Sequence, residues 1–504
     1  MKTEVMIGYA RRLWRALDWV WAVLLAIGTF LYLFINFNGL QNDHFAMIAR
    51  AFQVHLGAWP VRDFTDPGMP LAYLLPAALM QIFGATVLPE VVLQTALFAA
   101  TVGITFFLAR RASGSLLLAL GLCGVVLAMT PRLYNSSKVF MQAAALAAGW
   151  WYARHPRPTR IALLGAVAGV AFLFRHDYAV YITGAVVPLV AVARRAQVRE
   201  TARDLGVYAA TAALCILPWL GYVQWSGGLG EYWSSALRFS AAEGERTFRW
   251  TLALPLFLMV PLAALALARR GTRTVGAAHL VFAGVFVLLV DAVLLRDGSE
   301  ARIPDVVTST AIVAAAVLGG LPRPAITAIG AALLAAVVAW WPLAWPLPPK
   351  EGVVQAVDSV TARIESWYPG VFPVSGLVPI TDYLQRCTAP ATRVLVVDFA
   401  PQIAVFARRP FAGGTPAWLP NYYEHESDVR RAMAWLDRET VGVILMMEGE
   451  AVLSESWPAV ASYFRTRGFT SHTIQADDST FDVWLAPPPR GSTIDAVTGL
   501  PCGY

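Results

Sequence analysis

Long apolar segments separated by short polar ones occupy the first 348 residues. Eleven of them have spanning or nearly spanning length for a membrane helix. They are residues 17–37, 88–109, 115–131, 138–153, 161–174, 178–193, 205–225, 250–268, 275–295, 304–321 and 325–346. Two short segments flank Arg175-His176-Asp177, and we expect tilted or half-length helices lining a wet cavity there. The pattern predicts a polytopic α-helical membrane protein.

Composition supports this prediction. Hydrophobic residues make up 57% of the chain and charged residues 14%, and the mean hydropathy is +0.55. A soluble core of this length would not bury so much apolar side chain. The basic residues lie between apolar segments rather than on one amphipathic face, so we expect a lipid bilayer as partner and no nucleic acid. The basic N-terminus precedes a spanning segment without a small-residue cleavage site, which predicts a retained first helix.

Arginine clusters predict the orientation. If the N-terminus is cytoplasmic, five clusters fall on the cytoplasmic side, in agreement with the positive-inside rule. They are Arg110-Arg111, Arg154/Arg157/Arg160, Arg194/Arg195/Arg199/Arg203, Arg269/Arg270/Arg273 and Arg323. We therefore expect a multi-pass protein of the cytoplasmic (inner) membrane with an extracytoplasmic C-terminal domain.

The first loop on the outer side, residues 38–87, carries three carboxylates, Asp43, Asp63 and Asp66. Residues 71–84 are apolar but too short to span comfortably, so we expect an interfacial or re-entrant helix. The acids are thus expected at the outer membrane surface.

This layout resembles the GT-C fold of polyprenyl-phosphate-sugar-dependent glycosyltransferases, to which the lipid A aminoarabinose transferase and the protein O-mannosyltransferases belong. The shared features are a first helix, an acid near the start of the outer loop, and the Asp66-Pro67-Gly68-Met69-Pro70 element before the next spanning helix. Two departures are His44, where the family commonly has a second acid, and Pro67, which follows Asp66 without a basic neighbour. The resemblance implies a hexosyl- or pentosyltransferase with about eleven transmembrane helices.

Sugar transfer to a hydroxyl requires a carboxylate that accepts the proton. We predict Asp43 as this general base, with Asp66 or Asp63 orienting the acceptor or helping to hold a divalent cation, Mg or Mn. Alternatively, Asp43 caps a helix beginning near Phe45, and the other two acids stabilise turns.

Basic residues on the outer side run against the positive-inside rule and predict a donor-phosphate site, because arginine binds phosphoryl oxygens through two parallel hydrogen bonds. They are Arg132, Lys138, Arg175 with His176, Arg296 and Arg302. The alternative for each is a lipid headgroup or an ion pair with Asp177, Asp297 or Asp305. His176 has no second histidine at ligand spacing, which favours an orienting or structural role.

The loop between residues 225 and 249 mixes aromatic and charged side chains. This composition is typical of an interfacial helix, which in the resembled family is thought to gate substrate entry. An ordinary aromatic belt is the alternative.

Residues 349–504 predict a small extracytoplasmic α/β domain, separate from the transmembrane domain of residues 1–348. Strands are predicted at 393–397, 441–446 and near 480–486, and helices at 427–438 and 457–467. Gly413-Gly414 lacks the spacing of a phosphate loop and is interpreted as a turn. Cys123 and Cys215 fall in helices, whereas Cys387 and Cys502 are expected to form a disulfide in an oxidising compartment.

We therefore predict a cell-envelope glycosyltransferase with a polyprenyl-phosphate sugar donor and a lipid-linked, surface-glycan or protein acceptor. A secondary transporter and a non-catalytic membrane scaffold are the alternatives. A transporter should show internal repeats and broken midplane helices, and we find no clear repeat.

Overall fold

The computed structural model describes residues 2–40, 42–195, 197–244, 253–269, 275–296, 302–344, 352–365, 377–447, 449–476 and 479–504. Three of the residues singled out above, Arg270, Arg273 and Asp297, lie outside the described residues, as does the side chain of Arg296.

Fourteen helices precede the C-terminal domain within the described ranges. They are α1 (Lys2–Ile35), α2 (Asn42–His55), α3 (Leu71–Phe83), α4 (Leu88–Ser113), α5 (Leu116–Ala128), α6 (Ser136–Arg154), α7 (Pro158–Phe174), α8 (His176–Ala193), α9 (Val198–Ser226), α10 (Leu229–Gly244), α11 (Ala253–Ala268), α12 (Ala277–Arg296), α13 (Ile303–Leu318) and α14 (Arg323–Ala344). All eleven predicted spanning segments form helices. Five described stretches, in α1, α4, α8, α9 and α14, are long and apolar enough to cross a membrane.

Small residues bring some of these helices into backbone contact. A Cβ atom at Gly165 of α7 would lie 2.4 Å from the backbone oxygen of Tyr208 in α9, and one at Gly169 would lie 2.5 Å from Cys215 Cβ. Glycines four residues apart on one helix face are typical of close helix packing in membranes. The Gly-x-x-x-Gly spacing therefore explains the tight α7–α9 approach.

The C-terminal domain is a four-stranded sheet covered by helices on both faces. Its elements are α15 (Val353–Glu365), α16 (Val378–Cys387), β1 (Arg393–Val397), α17 (Gln402–Ala407), α18 (Glu426–Leu436), β2 (Val441–Met446), α19 (Glu450–Ser456), α20 (Pro458–Thr466), β3 (Thr470–Ala476) and β4 (Ser479–Leu485). The strand order is β1-β2-β4-β3, with β1 parallel to β2 and the other pairs antiparallel.

Alternating residues of β1 face two apolar cores. Val394 and Val396 pack with residues of α16 and α17, whereas Leu395 and Val397 pack with residues of α18 and α20. A strand buried on both faces needs a nearly continuous apolar sequence, which β1 has. Sequence patterning predicted three of the strands and missed β3, whose residues are mostly polar. Cys387 and Cys502 are joined by a disulfide.

The described chain forms two compact units. The helical unit contains Met1–Phe37, Val91–Leu220 and Arg246–Val357, and the mixed unit contains Asn38–Glu90, Gly221–Glu245 and Asp358–Tyr504. The first loop thus groups with C-terminal residues in the mixed unit. The division of the chain at residue 348 stays a prediction.

Candidate functional site

Asp43 lies in the first turn of α2, where the positive end of the helix dipole stabilises a carboxylate. The helix begins at Asn42, so Asp43 is inside it rather than at the N-cap of a helix beginning near Phe45. The neighbouring His44 is buried, and its Nε2 lies 2.7 Å from Oε1 of the equally buried Glu90. Consecutive helical residues are about 100° apart around the axis. His44 is on the buried side of α2, and the side chain of Asp43 is partly exposed beside it.

Asp63 closes a turn. Its Oδ2 accepts a hydrogen bond from the backbone N–H of Trp59 at 2.7 Å and another from Arg62 Nη2 at 2.6 Å. Partial burial raises the pKa of Asp63, but these hydrogen bonds outweigh it and leave the pKa below its ordinary value. These contacts agree with the turn interpretation of Asp63.

Asp66 is buried, and both of its carboxylate oxygens are occupied. Oδ1 accepts from the backbone N–H groups of Gly68 (3.1 Å) and Met69 (3.0 Å), and Oδ2 accepts from the hydroxyl of Tyr232 at 2.8 Å. An aspartate that bonds backbone N–H groups two and three residues ahead is typical of a turn. Asp66 therefore fixes the loop before α3 and holds α10 to it.

Asp43 and Asp66 belong to no group of three potential metal ligands among the described residues. Both Asp66 oxygens accept hydrogen bonds. Where the chain is described, the one group of three His, Cys, Asp or Glu ligand atoms close enough to hold a metal is Cys387, Asp495 and Cys502, and its cysteines are disulfide-bonded. The Mg or Mn site stays a prediction, and we derive no step through a metal.

A polar cluster in the helical unit contains three of the six residues predicted to bind the donor phosphate. Asn135, Lys138 and Gln142 are three and four residues apart, which places them on one face at the start of α6. Asp305 of α13 meets this face. Asn135 Nδ2 donates to both carboxylate oxygens of Asp305, at 2.9 and 3.1 Å, and Gln142 Nε2 donates to its backbone oxygen at 2.8 Å.

Lys138 is buried in this cluster. The charges of Arg175, Arg302, Asp177 and Asp305 all act on its ammonium group, so three basic side chains face two carboxylates. Arg175 Nε lies 2.9 Å from Asp177 Oδ1, and Arg302 Nη1 lies 3.9 Å from Asp305 Oδ2. Among the residues that the structure describes, no carboxylate oxygen lies within 4.0 Å of Lys138 Nζ. Among these five side chains the basic groups outnumber the acidic groups by one, which suits an anion.

The remaining predicted phosphate ligands differ in placement. Arg132 Nη1 donates to the hydroxyl of Tyr134 at 3.3 Å, and Lys138 Nζ lies 5.4 Å from the centre of the Tyr134 ring. His176 stacks on Phe172 and bonds its backbone oxygen through Nδ1 at 2.8 Å, which agrees with a structural role. Arg296 ends α12, and its side chain is outside the described residues.

The loop between residues 225 and 249 contains α10, which is held to α18 by ion pairs within the mixed unit. Arg238 binds Asp428 through two nitrogens, Nε at 3.1 Å and Nη2 at 2.9 Å. The hydrogen bonds that Arg238 donates to Asp428 raise the pKa of Arg238. The helix was predicted; its gating role remains a prediction.

Sequence reasoning missed several residues of these regions. Asn135, Gln142 and Glu90 were not selected, and Asp305 was considered only as an ion-pair partner. The amide side chains at the start of a spanning segment were an available signal, because polar groups at membrane depth are commonly functional. Glu90 gave no such signal, since it reads as an ordinary first-turn acid of α4.

Solved structures share this fold. The chain superimposes on crystal structures of ArnT from Cupriavidus metallidurans, with a TM-score of 0.59 for the form bound to undecaprenyl phosphate and 0.55 for the apo form. Sequence identity is 15% in both; the first match covers 93% of this chain and 99% of ArnT, and the second 95% and 100%. No family model and no curated protein matches the sequence. The likeness shows that this membrane protein has the GT-C fold of ArnT, as predicted.

Proposed function

We propose that the protein is a membrane glycosyltransferase that moves a hexose or pentose from a polyprenyl-phosphate donor to a lipid-linked, surface-glycan or protein acceptor on the outer face. The observation that carries the proposal is the basic cluster around the buried Lys138. The fold adds support, because a protein of the same fold was crystallised with undecaprenyl phosphate.

The basic cluster suits a leaving phosphate. When the acceptor oxygen attacks the anomeric carbon, the bond from that carbon to the phosphate oxygen breaks and the electron pair stays on the phosphate. Negative charge therefore grows there, and preorganised cations lower the barrier. Lys138 is the candidate for direct contact, because Arg175 and Arg302 already have carboxylate partners.

Asp43 is the proposed general base. It accepts the proton of the acceptor hydroxyl, which typically contributes a factor of about 10² to 10⁴ in rate. Asp63 and Asp66, both committed to hydrogen bonds, hold the first loop in shape.

Binding of undecaprenyl phosphate to purified protein in nanodiscs, followed by native mass spectrometry, tests the phosphate site. Lys138→Met should weaken binding about 10-fold or more, because a charge-assisted hydrogen bond is lost. Arg160→Ala is the matched control. Arg160 lies at the start of α7, at the other end of that helix from Arg175, and contacts Trp151. Equal affinity of wild type and Lys138→Met, or no binding by wild type, would overturn the proposal.

The proposed orientation has a separate test. We place the N-terminus in the cytoplasm and the C-terminal domain outside, following the arginine pattern. Single cysteines introduced on the surface of α18 and α20 should react with a membrane-impermeant maleimide in intact cells. Labelling that occurs only after the membrane is permeabilised would reverse the orientation.

A further inference from the structure

Two amide side chains in the helical unit each have a buried oxygen without a donor. Asn135 Oδ1 and Gln142 Oε1 accept no hydrogen bond in the described structure, and the two residues are 1% and 0% exposed. A buried acceptor left unsatisfied costs roughly 1–3 kcal/mol. Such a cost is uncommon in native structures and requires an explanation.

Local structure does not explain why these two oxygens lack hydrogen-bond donors. Asn135 is the N-cap residue of α6, where an asparagine oxygen ordinarily accepts from a first-turn N–H, yet its side chain makes no capping bond. Its amide nitrogen instead binds Asp305. In Gln142 the amide nitrogen binds the backbone oxygen of Asp305 and the hydroxyl of Tyr178, at 2.8 and 3.0 Å. The nitrogens are thus anchored and both oxygens left available.

The chemistry of the missing partner follows from the acceptors. A phosphate diester has only acceptor oxygens, so it cannot donate a hydrogen bond to an amide oxygen. Lys138, which lies between Asn135 and Gln142 on the same face of α6, can donate hydrogen bonds to the phosphate. A group bearing O–H or N–H donors satisfies the amides. A sugar attached directly to the phosphate provides both kinds of group in one molecule.

We propose that Asn135 and Gln142 recognise hydroxyl or amino groups of the sugar carried by the polyprenyl phosphate, and so contribute to donor specificity. This inference rests on the proposed function. In this proposal Lys138 binds the phosphate, and the amide oxygens of Asn135 and Gln142 accept hydrogen bonds from the sugar. Sites that pair buried polar groups with substrate hydroxyls discriminate strongly against analogues that lack them.

The test compares affinities in nanodiscs for the full-length protein. The probes are undecaprenyl phosphoglucose, undecaprenyl phosphomannose, decaprenyl phosphoarabinose and undecaprenyl methyl phosphate, a diester of equal charge without a sugar. At least one sugar donor should bind wild type more tightly than the methyl ester. Gln142→Met should reduce that preference about 10-fold while leaving methyl ester binding unchanged. Tyr178→Phe, which removes a partner of Gln142 Nε2 but none of Oε1, should retain the preference.

Deoxy analogues of the preferred donor give a second measurement that does not depend on a variant folding. One deoxy position should cost wild type as much as Gln142→Met does, and should cost Gln142→Met nothing further. The inference is overturned if no sugar donor binds more tightly than the methyl ester, or if Gln142→Met weakens both classes equally. If wild type binds none of the lipid phosphates, the proposed function itself fails and this inference falls with it.

Discussion

The carboxylate of Asp66 and the polar groups around Lys138 differ in how completely they are paired. Asp66, in the mixed unit, has both carboxylate oxygens bonded to backbone N–H groups and to Tyr232. In the helical unit, Lys138 lacks a close carboxylate among the described residues, and two neighbouring amide oxygens lack donors. Asp66 and Lys138 are both buried, so exposure does not distinguish them.

The difference separates structural acids from groups kept for a ligand. Fully paired buried groups specify a conformation, and removing one partner leaves the others unsatisfied. Open groups lower stability unless a ligand completes them. Mutations should therefore act on stability around Asp66 and on ligand binding around Lys138.

The largest effect is expected from Asp43→Asn. Loss of the proposed base should reduce sugar transfer by about 10² to 10⁴, whereas loss of charge in the first turn of α2 should cost only about 0.3–1 kcal/mol of stability. Steady-state transfer from a polyprenyl-phosphate donor, combined with a lipid-phosphate binding assay, separates the two. Near wild-type turnover by Asp43→Asn would remove Asp43 from the mechanism.

Asp66→Ala should destabilise the mixed unit by roughly 1–3 kcal/mol or more, because two N–H groups and the Tyr232 hydroxyl lose their acceptor. Asp66→Asn keeps an oxygen for the N–H groups and should cost less. Thermal unfolding in detergent measures both. If Asp66→Ala unfolded like wild type but lost transfer activity, Asp66 would belong to the catalytic site rather than to the scaffold.

Lys138→Met should weaken binding of the lipid phosphate without lowering stability. Its unfolding temperature should be unchanged or higher than that of wild type. An apolar side chain removes the cost of burying an amine without a close acidic partner. The same thermal assay measures the unfolding temperature of wild type and Lys138→Met without undecaprenyl phosphate and the increase in each when it is added. A large loss of stability in the lipid-free protein would mean that Lys138 is structural.

The smallest effect concerns Asp63 and pH. Its pKa is lower in the folded protein, so its stabilising contribution is present above the unfolded value of about 3.9 and is lost as pH falls through the folded pKa. The difference in melting temperature between wild type and Asp63→Asn should therefore be larger at pH 7 than near pH 3. A difference that does not change over this range would contradict the assigned hydrogen bonds.

Patterning predicted that all eleven apolar segments are helical, and it predicted three of the four described strands, because apolar length and alternation are local properties. The position of the first loop could not be predicted, since it depends on contacts such as the bond from Thr65 N–H to Gly414 O at 2.8 Å, which joins residues far apart in sequence. Lys138, Arg175 and Arg302 were selected individually by charge. Their gathering around Asn135 and Asp305 depends on the packing of α6, α8 and α13.

A cryo-electron-microscopy map of the protein in nanodiscs with undecaprenyl phosphate tests the central claim most directly. The account predicts phosphate density at hydrogen-bonding distance from Lys138 Nζ, about 2.7–2.9 Å, that disappears in Lys138→Met. Phosphate density held by other residues, with Lys138 making no contact with it, would contradict this prediction.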